Sequence, residues 1–465
     1  MTFEEALTSG GDERIELKEN GLNKYLVNPL KAEGVFNRGS CTCSGLSEDV
    51  RPQVELLYKQ LEKGADLDRV RENQRLRIKA PLLENGKYRF DVFFSPSGSD
   101  LCFYPLLAAT LYEPDKPIMN LITCPEELGT GSVIANRGLF FSEKTQVKTV
   151  QKGQPINDKL NIEVRTFPSR TPDGLIIDHK PLVSEAIERY KPTHNLIVNL
   201  VIGSKSGIEN NISIIEDGPR DVIYCVDLCQ MRAVPKLIHS LIELNCLIMI
   251  TGSKFYQSPP FCGALLVPEK HSNRLKMAKP TDEQMKGFNE IYSKYDLPVD
   301  FENIRSKLSP IRNVGATLRW EAAICESEYL TRYTEREVTF AISLWNKYVI
   351  DYLRTKPIFE LMRDQSKTNR SIISLMIKGK DGIFSHAKLK KLYERLLTTG
   401  HQYQSKYEKL TIGQPVEYES YSFIRLALGS RDVRKLIDTE IDLTDDYLLI
   451  DVLEKLAMDI DNEPD

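Results

Sequence analysis

Tryptophan is nearly absent, with 2 in 465 residues, and no cysteine follows Cys325. Neither sign of charge dominates: 62 basic residues face 66 acidic ones, for a net charge of −4. A nucleic-acid surface draws on a clear basic excess, so that class of partner is not expected. Long apolar runs are missing too. The longest, Leu237 to Ile250, is interrupted by His239, Glu243 and Asn245 and is too short and polar to cross a bilayer. The first ten residues carry acids and lack the apolar stretch of a secretory leader, so a soluble, cytoplasmic chain is expected. The nine cysteines form no zinc framework, since no second pair or histidine pair completes Cys41-Thr42-Cys43, and no metal site is expected. Most of them sit in apolar runs, as buried reduced thiols do.

What is present is an alternation of apolar strands and amphipathic helices. Arg51 to Arg77 carries apolar residues at helical spacing. Strands are expected at Tyr88–Phe94, Pro117–Cys124, Ile162–Phe167, Asn195–Ile202, Val222–Val226, Cys246–Ile250 and Gly263–Val267, with helices at Leu101–Tyr112, Pro181–Tyr190 and Val234–Glu243 between them. Buried strands separated by helices imply an α/β fold with a mostly parallel sheet covered on both faces. The pattern changes near residue 310. A long helical stretch, Arg319–Arg354, precedes strand-like Ser371–Ile377, helical His386–Thr398, strand-like Val416–Leu428 and helical Asp445–Ile460, the mixture of a smaller α+β unit. The expected division is 56–310 for the large unit and 311–465 for the small one, with 1–55 packing on the latter.

Three turns carry candidate chemistry. Lys254 stands in Thr251-Gly252-Ser253-Lys254, between the apolar runs Leu247–Ile250 and Phe261–Val267. It is either a lysine snorkelling from a strand end or an amine held for imine chemistry. Asp227 ends an apolar strand and Gln230 follows it; the carboxylate either caps the next helix or pairs with a ligand. Ser97-Gly98-Ser99 joins a strand to a helix, which makes it either an ordinary N-cap or a phosphate turn. A strand-end Asp followed by a strand-turn-Lys suits pyridoxal phosphate (PLP). The aldehyde needs an amine, and the ring nitrogen needs an anion that keeps it protonated.

With these motifs in this order, the sequence from about residue 90 to 430 resembles the fold-type I PLP-dependent transferases, nearest to the class V aminotransferase and cysteine desulfurase superfamily. The resemblance implies that Lys254 is the Schiff-base lysine and proton shuttle. It implies further that Asp227 pairs with the pyridine nitrogen, Gln230 bonds the ring hydroxyl, and Ser97, Gly98, Ser99, Thr251 and Ser253 serve the phosphate. Asn313-Val314-Gly315-Ala316-Thr317 stands where the family's Gly-Thr pair reaches the phosphate of a neighbouring subunit; Thr317 has that role or caps a helix. Arg425, alone among the apolar residues of Ser422–Leu428, is by resemblance the clamp for a substrate carboxylate; the other reading is a structural ion pair. A homodimer acting on a small-molecule amino-acid substrate is implied.

The chain departs from the family in three places, one being Ser253, which stands where desulfurases usually have a histidine. Cys124-Pro125-Glu126-Glu127 has no histidine to stack on the cofactor ring, so that partner is unassigned. The missing C-terminal cysteine disfavours persulfide chemistry, although Cys41 and Cys43 could approach the site from the N-terminal segment. An aminotransferase is the expected function. A lyase, decarboxylase or acyl-condensing enzyme shares every motif, and a non-catalytic relative would have been expected to lose one of them.

Overall fold

The computed structural model describes residues 1–465 except 40–43, 173, 233–234, 363–369, 404–405, 419–420 and 464–465, together with the side chain of residue 85. Cys41 and Cys43 lie outside the described residues. In chain order the strands are β1 (Val35–Arg38), β2 (Phe90–Ser95), β3 (Ile118–Thr123), β4 (Ile162–Phe167), β5 (Asn195–Val201), β6 (Ile223–Asp227), β7 (Leu247–Thr251), β8 (Gly263–Pro268), β9 (Phe359–Leu361), β10 (Ile372–Gly379), β11 (Gly382–Ile383), β12 (Lys409–Glu417) and β13 (Ser422–Ala427).

Strands β2 to β8 form one sheet in the order β2-β8-β7-β6-β5-β3-β4. All neighbours are parallel except β8, which runs antiparallel to β2 and β7. Side chains alternate across a strand, so each strand feeds two cores. On β6, Tyr224 and Val226 enter the cluster under helices His179–Tyr190 and Pro235–Glu243, while Ile223 and Cys225 enter the cluster under helix Phe103–Tyr112. Both faces are therefore covered, which is why these strands read as continuous apolar runs. Chain order reverses between β3 and β5, and loops after the carboxyl ends of β3, β5, β6 and β7 gather beside that switch point, where open α/β sheets bind ligands.

The remaining strands form a second sheet, β1-β12-β13-β10-β11 with β9 on β10, antiparallel except for the β1–β12 pair. One face packs Ile373, Leu375, Ile377, Leu410, Ile412, Ile424 and Leu426 against helices Glu335–Arg354, His386–Thr399 and Thr444–Asp461.

Two stretches read as single elements are divided. The helical run 319–354 breaks into Val314–Leu330 and Glu335–Arg354, because Thr334 and Glu337 form a reciprocal capping box that starts a new helix. The strand-like run 416–428 takes in the end of β12, at Glu417, and the whole of β13, from Ser422.

The N-terminal segment contributes to both halves. Its β1 joins the smaller sheet, and helix Phe3–Leu7 packs in an apolar cluster with helices Arg51–Glu62 and Val314–Leu330. Residues 7–10 are tied to the start of the latter: the buried Arg319 guanidinium donates to the carbonyls of Leu7 and Ser9, both at 2.7 Å, and the Asn313 amide donates to Gly10.

Candidate active site

A cavity of about 800 Å³ opens at the carboxyl ends of the parallel strands and runs to the smaller sheet. Ser97, Gly98, Ser99, Asp227, Gln230, Thr251, Ser253, Lys254 and Arg425 all line it.

Each is held by its local fold. Lys254 follows β7 through Gly252, where a Cβ would lie 2.3 Å from Ala323 Cβ and 2.9 Å from Cys262 Sγ. Only glycine lets this turn settle onto helix Val314–Leu330. The Thr251 hydroxyl donates to the Cys229 carbonyl at 2.7 Å and so pins the lysine turn to the turn after β6. In that turn Asp227 Oδ1 accepts from the Cys229 amide at 2.7 Å. Gln230 lies on the same loop and accepts from Arg232 Nε at 3.4 Å. The Ser97 hydroxyl donates to Asp100 at 2.6 Å and accepts from the Ser99 amide at 3.2 Å.

Arg425 projects from the opposite face of β13 to its core neighbours Ile424 and Leu426. Its guanidinium donates to the Gln414 carbonyl at 2.9 Å, and its partner residue across the strands is Gly413, whose missing side chain leaves the space it crosses.

Thr317 is not in the cavity. It is fully buried inside helix Val314–Leu330, and its hydroxyl donates to the Asn313 carbonyl one turn back at 2.8 Å. It cannot be offered to a second copy, and the residue that caps this helix is Asn313, whose side chain accepts from the Ala316 amide.

Two features escaped sequence reasoning. Arg14 enters the cavity from the N-terminal segment, with Nη2 3.2 Å from Ser97 Oγ and Nη1 3.5 Å from Ser99 Oγ. The segment has no periodicity; its sole signal is the Gly10-Gly11-Asp12 run ahead of the arginine. In the loop where a stacking histidine was sought, Glu127 is buried and accepts from the Ser204 hydroxyl at 2.6 Å, the Ser206 amide at 2.8 Å, the Ser206 hydroxyl at 2.5 Å, and the Tyr418 hydroxyl. A polar Ser-Lys-Ser turn after the apolar β5 was the available hint.

The electrostatics follow from burial. Asp100 is pushed up to about 7 by desolvation and by the nearby Asp12 charge, against the pull of Ser97 and Arg14. Burial works against the Glu127 charge, yet the donors Ser204, Ser206 and Tyr418 hold its carboxyl below the usual range. Burial and the Asp227 charge push the Cys229 thiol well up. Among the described residues no cluster of three or more His, Cys, Asp or Glu could hold a metal, and no helix is long and apolar enough to cross a membrane.

The chemical complement of this cavity suits PLP. Two hydroxyls and a guanidinium at one turn match a phosphate, a carboxylate at a strand end matches a protonated ring nitrogen, and a lysine amine matches an aldehyde. No protein-family model matches the sequence, and no curated protein matches it either. Solved structures do match. The cysteine desulfurase CsdA from Escherichia coli aligns over 91% of this chain and 94% of its own, with TM-score 0.56 at 13% identity. An S-selective transaminase from Arthrobacter sp. with alanine bound aligns over 91% and 88%, with TM-score 0.55 at 12% identity. A C-DES variant with glycine covalently linked to its PLP cofactor aligns over 88% and 96%, with TM-score 0.56 at 12% identity. The fold is that of the fold-type I PLP-dependent enzymes.

Proposed function

We propose that this chain is a PLP-dependent enzyme acting on an amino acid through Lys254, and that the reaction is transamination. The reading is carried by the convergence of Ser97, Ser99, Asp227, Gln230, Lys254 and Arg425 on one cavity from four separate segments. When bound, PLP supplies an aldehyde that takes an amine and a protonated ring that accepts electrons.

The chain does the rest. The Ser99 hydroxyl would donate to the phosphate, beside Ser97, whose own hydroxyl hydrogen is held by Asp100. Asp227, oriented by the Cys229 amide, keeps the proton on the ring nitrogen. The Gln230 side chain holds the ring hydroxyl. Arg425 clamps the substrate carboxylate in a two-point hydrogen bond and so presents the Cα–H to Lys254. The Lys254 Nζ would take the proton from the substrate Cα as a general base and return it as a general acid. A homodimer is part of the proposal and is checked by light scattering.

Desulfurase chemistry is set aside. It calls for a reachable thiolate, whereas every cysteine among the described residues is buried and the Cys229 thiol at the cavity is held protonated.

The test is a visible spectrum of the purified protein with PLP, recorded against a panel of amino acids. A band that forms with the wild-type chain, is absent in Lys254→Ala, and bleaches to the amine form of the cofactor with one amino acid establishes transamination and identifies the donor. A band that survives every amino acid, or net loss of CO₂ or of a side chain without amination of the cofactor, replaces transamination with decarboxylation or lyase chemistry. No band overturns the assignment of Lys254.

A further inference from the structure

The N-terminal strap of residues 7–14 is built into the cavity wall. Arg319, fully buried, donates to the carbonyls of Leu7 and Ser9 and also to that of Phe261 at 2.7 Å. One side chain thus positions both the strap and an aromatic ring beneath it. Gly10 takes a left-handed conformation, φ +70°, and a Cβ there would lie 1.9 Å from Asn313 Oδ1, so the strap turns tightly against the start of helix Val314–Leu330.

Beyond that turn the Arg14 guanidinium lies 4.6 Å from the centre of the Phe261 ring and 5.0 Å from that of Phe141. Asp12 grips it at two points, 2.7 Å from Nε and 2.6 Å from Nη2. Nη1 and Nη2 still reach Ser99 and Ser97. A guanidinium whose plane is fixed by two rings and a carboxylate loses little freedom on meeting a ligand.

We propose that Arg14 is a ligand of the cofactor's phosphate, so that the N-terminal strap forms part of the cofactor site. The inference rests on the PLP reading above and adds a residue to it from outside the strand-end turns. Its logic is one of charge. A phosphate dianion bound at the serine turn would sit beside the Asp12 and Asp100 carboxyls and be repelled by them unless a cation intervenes. Among the described residues Arg14 is the cation in hydrogen-bond contact with both hydroxyls, so an anion at this turn meets it directly. Burial also leaves Asp100 partly protonated near neutral pH, which lightens the negative charge that the phosphate faces.

Binding of PLP and of pyridoxal, which lacks the phosphate, separates this role from a structural one. Both are titrated by absorbance into the wild type, Arg14→Ala and Arg14→Lys, with thermal unfolding recorded for each. Arg14→Ala is expected to weaken PLP roughly ten- to a hundredfold, the scale of a lost charge-assisted hydrogen bond, and to leave pyridoxal unchanged. Arg14→Lys is expected to recover part of the loss. Equal losses for the two ligands, or no loss for PLP, overturn the proposal. If Arg14→Ala does not fold, the PLP-to-pyridoxal ratio in Arg14→Lys decides on the same criterion. Calorimetry with inorganic phosphate keeps the two readings apart. Should wild type form no band with PLP, phosphate binding that disappears in Arg14→Ala upholds the anion site while the Lys254 reading fails; no phosphate binding by the wild type overturns both.

Discussion

Asp100 shows how much one buried atom pair decides. Its carboxyl accepts from Ser97, faces the Asp12 charge and is nearly shut from water, so it titrates near 7. A folded pKa above the unfolded one means that the native state holds the proton more tightly. The resulting stability is complete below the ordinary carboxyl range and is lost as pH rises through about 7. Asp100→Asn cannot ionise. Urea unfolding is therefore expected to show the variant gaining on wild type by something on the order of 2 kcal/mol between about pH 5 and about pH 8. A constant difference across that window would contradict it. Lys254 and Asp227 were legible as candidates because a charge bordering an apolar run has few structural uses. Arg14 was not: nothing local marks it, and its partners Ser97 and Ser99 are brought to it by Arg319 and Asn313, each hundreds of residues away in sequence. Thr317 was misplaced for the opposite reason. It was placed by resemblance to a Gly-Thr pair, yet Gly315 and Thr317 both lie within a helix, and a Cβ on Gly315 would meet the Ser9 carbonyl at 2.3 Å, so that glycine serves packing against the strap.

At the scale of elements, strands with buried residues on both faces were recovered to within a residue or two, since their apolar runs are bounded by turns. Boundaries set by side-chain capping were less visible. The break between Leu330 and Glu335 depends on Thr334 accepting from the Glu337 amide at 3.2 Å while Glu337 accepts from the Thr334 amide at 2.7 Å. Thr334→Ala removes half of that reciprocal cap on an exposed helix end. It is expected to cost about 1 kcal/mol, seen as a lower urea midpoint with an unchanged slope. The strand-like run 416–428 takes in the end of β12 and all of β13, with Tyr418 and Tyr421 between them. They stack on each other, ring centres 5.3 Å apart, and the Tyr418 amide donates to the Tyr421 carbonyl at 2.9 Å.

Across the whole molecule, the two sheets are joined by polar bonds around the cavity. Arg232, after β6, donates to the Ser371 hydroxyl at 2.7 Å and to the Leu428 carbonyl at 2.5 Å. The Ser430 amide donates to the Phe255 carbonyl beside Lys254 at 2.7 Å. Tyr418 reaches from the smaller sheet to Glu127 at the end of β3. Tyr418→Phe leaves that buried carboxylate with one donor fewer, at an expected cost of about 1–3 kcal/mol near neutral pH. Glu127 is depressed in the folded state, so its contribution exists above the ordinary carboxyl range and fades as pH falls through the folded value. The gap between variant and wild type should accordingly narrow in chemical denaturation as pH falls below the ordinary carboxyl range; a gap that widens there would show that Glu127 is not the partner that matters.

The sequence by itself determined the fold class, the strand ends that hold Asp227 and Lys254, and the serine turn, because periodicity and turn chemistry are local properties of the chain. Only the tertiary structure decided that Arg425 and Arg14 share the cavity with them, that Thr317 does not, and that Glu127 ties the sheets together. Those contacts join residues far apart in sequence, and no local pattern encodes which distant side chain a fold will bring alongside.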